Sequence, residues 1–182
     1  MSFTVQPTPI RDVLILEPRK FADDRGHFLE SYNKAKFQAH GIAAEFVQDN
    51  LSVSRKNVLR GLHYQVQRPQ GKLVSVIVGE VYDVAVDLRR NSPTFGKHVG
   101  VLLSAETNRM LWVPEGLAHG FLVLSELAYF SYKVTNYYAP ELERTLSWND
   151  ANLAIPWPLH GAQPVLSPKD ALGKTLSEAE LF

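Results

Sequence analysis

The sequence predicts an all-β fold, a jelly-roll β-barrel with short helices at the C-terminal end. Three observations carry this reading. Turn signals recur at short spacing: Asp24-Arg25-Gly26, Arg60-Gly61, Gln70-Gly71, Gly79-Glu80, Asn91-Ser92-Pro93 and Pro114-Glu115-Gly116. Between them lie short runs rich in Val, Leu, Ile, Tyr and Phe, the composition of antiparallel strands. Helical signals are confined to one short internal segment and to the tail. There Ser167-Pro168-Lys169-Asp170 offers an N-cap, proline at the first helical position and an acid at the third.

In chain order, strands are predicted over 13–16 and 27–32, then a short helix over 34–40 that Gly41 stops. Strands follow over 46–50 and 58–64. The middle is the most legible part: a strand over 73–78, a tight turn at Gly79-Glu80, and a strand over 81–88. That last strand puts Tyr82, Val84, Val86 and Leu88 on one face and Asp83 and Asp87 on the other. Later strands are predicted over 99–103, 110–113, 121–124 and 128–134. Ser177 to Glu180 repeats the capping pattern, so short helices or turns close one end of the barrel. About ten strands with little helix describe a jelly roll of the cupin type.

Length and composition narrow the function classes. A chain of 182 residues suggests one domain over 1–182, with room for a real core. No stretch approaches the ~18 apolar residues of a membrane span. Residues 1–10 lack a basic region followed by an apolar one, so no secretory leader is expected. There is no cysteine, which excludes disulfides and thiolate metal sites and fits a cytoplasmic location. Zero net charge and the lack of a basic run argue against nucleic acid as a partner.

Metal-binding cupins carry an H-x-H pair, a later acid and a histidine from a second motif. Here the pair position reads His63-Tyr64-Gln65, with Gln in place of the second His. The segment 114–119 resembles the second motif and ends in His119. Two imidazoles without a third strong ligand hold a transition metal weakly. No metal or other cofactor is therefore expected, and His63 and His119 are left with another purpose near the barrel interior.

Strand parity brings further residues inward. Tyr132 shares a face with Ala128, Phe130 and Val134, and Lys72 with Val74, Val76 and Val78. A lysine inside a barrel is costly unless something anionic meets it. Parity puts Arg60 and His63 on opposite faces unless Gly61 marks a bulge. A His, a Tyr and a Lys around one cavity suit proton abstraction beside a carbonyl. The imidazole is a base near neutral pH, Lys⁺ stabilises an enolate oxygen, and Tyr returns a proton from the other side. Each residue also has a structural reading: a satisfied core His, a packing Tyr, a snorkelling Lys. Spacing alone supports a small-molecule enzyme or binder in a β-barrel.

The ordered set of motifs resembles the dTDP-4-dehydrorhamnose 3,5-epimerase (RmlC) family, nearly end to end. It includes Asp24-Arg25-Gly26-His27-Phe28-Leu29-Glu30, Phe46-Val47-Gln48-Asp49-Asn50, Leu59-Arg60-Gly61-Leu62-His63-Tyr64-Gln65 and Gln70-Gly71-Lys72-Leu73. It continues through Trp112-Val113-Pro114-Glu115-Gly116, Ala118-His119-Gly120-Phe121, Tyr137-Tyr138-Ala139-Pro140-Glu141 and Leu166-Ser167-Pro168-Lys169-Asp170.

The resemblance implies His63 as base, oriented by Asp170, with Tyr132 as the opposing acid and Lys72 at the C4 enolate oxygen. It implies that His119 and Arg60 bind the sugar-phosphate part, that Arg25 meets the diphosphate, and that Tyr138 stacks on the thymine. Glu30, Gln48, Asn50, Glu143 and Lys169 match further substrate contacts. The helix-cap reading of Asp170 and a surface-pair reading of Arg25, Glu30 and Glu143 stand beside these roles.

The expected reaction converts dTDP-4-dehydro-6-deoxy-D-glucose to dTDP-4-dehydro-L-rhamnose for dTDP-L-rhamnose biosynthesis. The family analogy also implies a homodimer in which the N-terminal segment, with Arg25, serves the neighbour's site. Alternatives are a C3-only epimerase or ketoisomerase on a related dTDP-4-keto sugar, a non-catalytic sugar-nucleotide binder, and a metal cupin. Leu51 stands where the family often has His, which bears on substrate fit at that edge.

Overall fold

A computed structural model describes residues 3–182. Met1 and Ser2, part of the stretch read for a leader, lie outside the described residues. In chain order the strands are β1 (Phe3–Pro7), β2 (Leu14–Pro18), β3 (Phe21–Asp23), β4 (Gly26–Phe28), β5 (Gln48–Arg55), β6 (Leu59–Gln65) and β7 (Lys72–Val78). They continue with β8 (Glu80–Asp87), β9 (His98–Ser104), β10 (Met110–Val113), β11 (Leu117–Val123), β12 (Leu127–Val134) and β13 (Glu143–Thr145). Two short α-helices, α1 (Lys34–Ala39) and α2 (Pro168–Ala171), and a single 3-10 turn over Pro140–Leu142 complete the set.

One sheet runs β1-β2-β10-β7-β12-β5, the other β13-β6-β11-β8-β9, and β3-β4 is a separate hairpin. This is the double-sheet form of the jelly roll. The barrel expected from the sequence is not closed by hydrogen bonds, because the chain changes sheet at sharp corners instead of continuing one ladder. Gly79 is such a corner. It was expected to turn a hairpin, yet β7 pairs with β10 and β12 while β8 pairs with β11 and β9. Gly79 has φ +82°, and an added Cβ would lie 2.1 Å from the Leu127 carbonyl oxygen, so only glycine fits.

The core between the sheets takes the inward residues of both: Val74 and Val76 from β7, Ala128 and Phe130 from β12, Val81 and Ala85 from β8, Phe121 and Val123 from β11. The apolar face of β8 points the other way. Val84, Val86 and Leu88 pack outward against Leu146, Leu153, Trp157, Leu176 and Phe182, so the tail covers the second sheet from outside. Burial on both faces explains why β11 is buried throughout. The outer corner of the first sheet is covered by α1, where Phe37 meets Phe3, Leu16, Ile42 and Met110.

The other predicted elements shift rather than vanish. The strand over 27–32 stops at Phe28, and the strand over 46–50 becomes Gln48–Arg55. Strands β1, β3 and β13 were not foreseen. Ser177 to Glu180 forms turns without a helix, whereas Ser167 caps α2 by accepting from the Asp170 amide. Among the described residues no helix is long and apolar enough to cross a membrane.

Candidate active site

A cavity of about 370 Å³ opens between the sheets. Its floor is apolar: the Phe121 and Phe130 rings stack with centroids 4.0 Å apart. Its walls are polar and come from β5, β6, β7, β11 and β12. Of the residues singled out in the sequence, Gln48, Asn50, Arg60, His63, Lys72, His119, Tyr132, Tyr138, Glu143 and Lys169 all line it. Asp170 lies directly behind His63.

Gly61 makes this convergence possible. It has φ +120°, and an added Cβ would meet the Gly120 Cα at 2.5 Å. The β6–β11 register shifts opposite this point, between His119 and Phe121. The irregularity lets Arg60 and His63 face one cavity although strict alternation would separate them.

His63 is held from behind. Its Nε2 lies 2.5 Å from Asp170 Oδ1, and Asp170 Oδ2 accepts from the Ser167 hydroxyl at 2.7 Å. Asp170 is thus both the third residue of a capped helix and the partner of a cavity histidine, as the two sequence readings allowed. Burial pushes its carboxyl up, but the hydrogen bonds from His63 and Ser167 outweigh burial and hold it below the ordinary carboxylate value. A fixed carboxylate of this kind sets the tautomer of the ring it meets.

Lys72 is 7% exposed, and its ammonium donates to the His63 carbonyl at 3.2 Å. Burial lowers its pKa to about 8, with Glu143 and Asp83 opposing that fall. Burial likewise raises the Tyr132 phenol, and the Glu143 charge raises it further. At the cavity mouth the Tyr138 hydroxyl donates to Glu143 Oε2 at 2.9 Å and Lys169 Nζ reaches the same oxygen at 2.7 Å. Burial and the bond to Glu143 push Tyr138 up to about 12.

Asp83 is the residue sequence reasoning missed. It is fully buried, and both its oxygens lie 3.0 Å from His119 Nε2. The pair is diagonal across the β8–β11 ladder, where His119 faces Ala85 and Asp83 faces Phe121. The signal was available: Asp83 shares a face with Val81 and Ala85. Cavity residues Ser52, Gln65 and Gln70 were also missed as lining residues.

Three expectations fall outside the cavity. Arg25 sits in the β3–β4 turn, 89% exposed and paired with Asp23 at 2.5 Å. Glu30 bonds Lys36 and Asn33 near α1. Leu51 points away from the cavity and is 62% exposed, because odd-numbered residues of β5 face outward. It adjoins the lining residue Asn50 without itself lining the cavity. Gln65, in the place of a second metal histidine, spends its amide on backbone groups. Among the described residues no cluster of three or more His, Cys, Asp or Glu could hold a metal ion.

A carboxylate-backed histidine, a tyrosine and a buried lysine set around an apolar floor fit a class: jelly-roll enzymes acting on a small bound substrate. Comparison with known proteins narrows it. The sequence model of the family described as dTDP-4-dehydrorhamnose 3,5-epimerase matches residues 7–178. The Pseudomonas aeruginosa enzyme of that name is 58% identical over 174 residues, covering 95% of this chain and 96% of that one. The Salmonella typhimurium enzyme is 57% identical over 176 residues, covering 96% of each. A Legionella pneumophila crystal structure of RmlC with dTDP-4-keto-L-rhamnose superposes with a TM-score of 0.95 at 53% identity, covering 98% of this chain and 95% of that one. The chain belongs to the dTDP-4-dehydrorhamnose 3,5-epimerase family.

Proposed function

We propose that this enzyme inverts C3 and C5 of dTDP-4-dehydro-6-deoxy-D-glucose, giving dTDP-4-dehydro-L-rhamnose for dTDP-L-rhamnose synthesis. The observation that carries it is the opening of His63, Lys72 and Tyr132 onto one cavity, with Asp170 fixed behind the histidine. The C4 ketone acidifies the hydrogens on C3 and C5. His63 takes a proton from carbon through Nδ1, since Nε2 is committed to Asp170. The electron pair moves to the C4 oxygen, where the Lys72 ammonium stabilises the enolate. Reprotonation from the opposite face inverts the centre and restores the ketone. Tyr132 supplies the proton at C5, its phenol kept protonated by burial.

No net oxidation occurs, so no nicotinamide is consumed, and Lys72 supplies the positive charge that a metal would otherwise provide. Arg60 and His119 hold the sugar-phosphate part. Gln48, Asn50, Glu143 and Lys169 contact the substrate, and Tyr138 stacks on the base. The exposure of Arg25 fits a diphosphate contact in a second subunit's site, with Glu30 on the same crossing segment, in a homodimer. One domain over 1–182 and a cytoplasmic location complete the reading.

The test is NMR of the substrate with enzyme in D₂O and chelator. Deuterium at both C3 and C5, with L-rhamno product trapped by a reductase, is expected. Deuterium at C3 alone would make the chain a mono-epimerase or ketoisomerase. No exchange at either carbon would sink the catalytic reading.

A further inference from the structure

Gln65 is buried, and neither the chemistry nor the substrate contacts above use it. Its amide is fully engaged. Oε1 accepts from the Ala139 amide at 2.8 Å, while Nε2 donates to the Arg68 carbonyl at 2.9 Å and to the Tyr137 carbonyl at 3.3 Å. Two of these three bonds grip the backbone on either side of Tyr138.

Neighbouring amides tie the same two segments together. Gln70 Nε2 donates to the Asn136 carbonyl at 2.8 Å, and Asn136 Nδ2 donates to the Pro69 carbonyl at 2.6 Å. The Tyr138 amide itself donates to Gln48 Oε1 at 3.1 Å. Beyond the bond from the Tyr138 hydroxyl to Glu143 and the burial of Ala139, these bonds carry most of the loop's support, because Tyr137 and Tyr138 are 64% and 50% exposed and bury little apolar area.

We propose that Gln65 is a positioning residue for nucleotide recognition. It clamps the 137–139 backbone to the end of β6, and so fixes the ring of Tyr138 at the cavity mouth before substrate arrives. The position that would hold a metal ligand in another jelly roll here carries a carboxamide, because gripping this loop takes an acceptor and two donors together. Neither imidazole nor carboxylate supplies that set. Fixing the ring beforehand spares the ordering cost on binding, so the effect falls on affinity rather than on the chemical step.

The inference rests on the stacking role given to Tyr138 above, and a double-mutant cycle separates the two. Affinity for dTDP is measured by calorimetry for wild type, Gln65→Met, Tyr138→Ala and the double variant. Gln65→Met keeps the side-chain volume and removes all three bonds. It is expected to weaken dTDP about tenfold in the wild-type background, of the size that losing buried hydrogen bonds produces, and less than about twofold beside Tyr138→Ala. KM should rise by a similar factor with kcat changed less than about threefold. Equal weakening in both backgrounds, or a fall confined to kcat, would overturn the proposal. If Tyr138→Ala alone leaves dTDP affinity unchanged, the stacking reading fails and the positioning role fails with it. Should Gln65→Met not fold, Gln65→Asn, which withdraws the same amide by one methylene, enters the cycle with the same readings.

Discussion

At the scale of single residues, Lys72 shows most directly what the site costs. Its folded pKa of about 8 lies below its ordinary 10.5, so between these values the folded chain carries fewer protons than the unfolded one. Stability from this residue therefore rises as pH climbs from about 8 to about 10.5, and at neutral pH the charged lysine is destabilising. The gap corresponds to on the order of 3 kcal/mol. Lys72→Met is expected to raise the urea midpoint at pH 7 while abolishing deuterium exchange; a lowered midpoint would count against the assigned strain. The same pKa places a limit on catalysis, since kcat/KM should fall tenfold per unit above about pH 8.

Asp170 acts in the opposite sense. Its lowered pKa contributes stability above the ordinary carboxylate value, lost as pH falls through the lower folded value. Asp170→Asn should lower kcat by about 10²-fold or more with little change in dTDP affinity, as steady-state assays and calorimetry would show. Parity alone placed Lys72 and Tyr132 in the cavity. It also put Asp83 on the face of β8 that turns inward but could not name its partner, since His119 is diagonal on a neighbouring strand, nor could it assign Gln65, two of whose three backbone partners lie more than 70 positions away.

At the scale of elements, β6 and the tail decide whether the site forms. Gly61→Ala would add a methyl 2.8 Å from the His119 carbonyl oxygen at a positive φ. It should destabilise the chain by more than about 2 kcal/mol and separate Arg60 from His63, seen as lost activity in whatever fraction folds. Leu146 is fully buried where the tail meets the second sheet, and Leu146→Ala is expected to cost about 3 kcal/mol in urea denaturation.

Strands β7, β8 and β12 were legible because each sends alternate apolar side chains into the core between the sheets, which enforces their pattern. In β5 the polar residues Asn50, Ser52 and Ser54 face inward, while Leu51 and Val53 face outward. A cavity strand inverts the usual rule, so only its beginning was read. The three-residue strands β3, β4 and β13 are too short to show any period, and the edge strand β1 is largely exposed.

At the scale of the whole molecule, the β3–β4 hairpin is an isolated two-stranded ribbon with every residue exposed, including Phe21 and Phe28. Such ribbons are marginal in water alone. The proposed homodimer gives it a place to dock, and subunit mixing tests it. Arg25→Ala and Lys72→Met proteins are each inactive under the proposal. Unfolded together in equal amounts and refolded, they should recover about a quarter of wild-type activity if Arg25 completes the neighbour's site, because half the dimers are mixed and one site in each is whole. No recovery would return Arg25 to its own subunit, and an active Arg25→Ala protein would remove it from any site.

The His63–Asp170 contact spans 107 positions of sequence. Contacts of such long range are late to form. A chain whose sheets have assembled but whose tail has not yet docked owns a pocket that lacks Lys169 and holds a misaligned imidazole. Enzymatic turnover is therefore a clock for the final closure of the polypeptide, and its return after dilution from urea should lag the return of β-sheet circular dichroism.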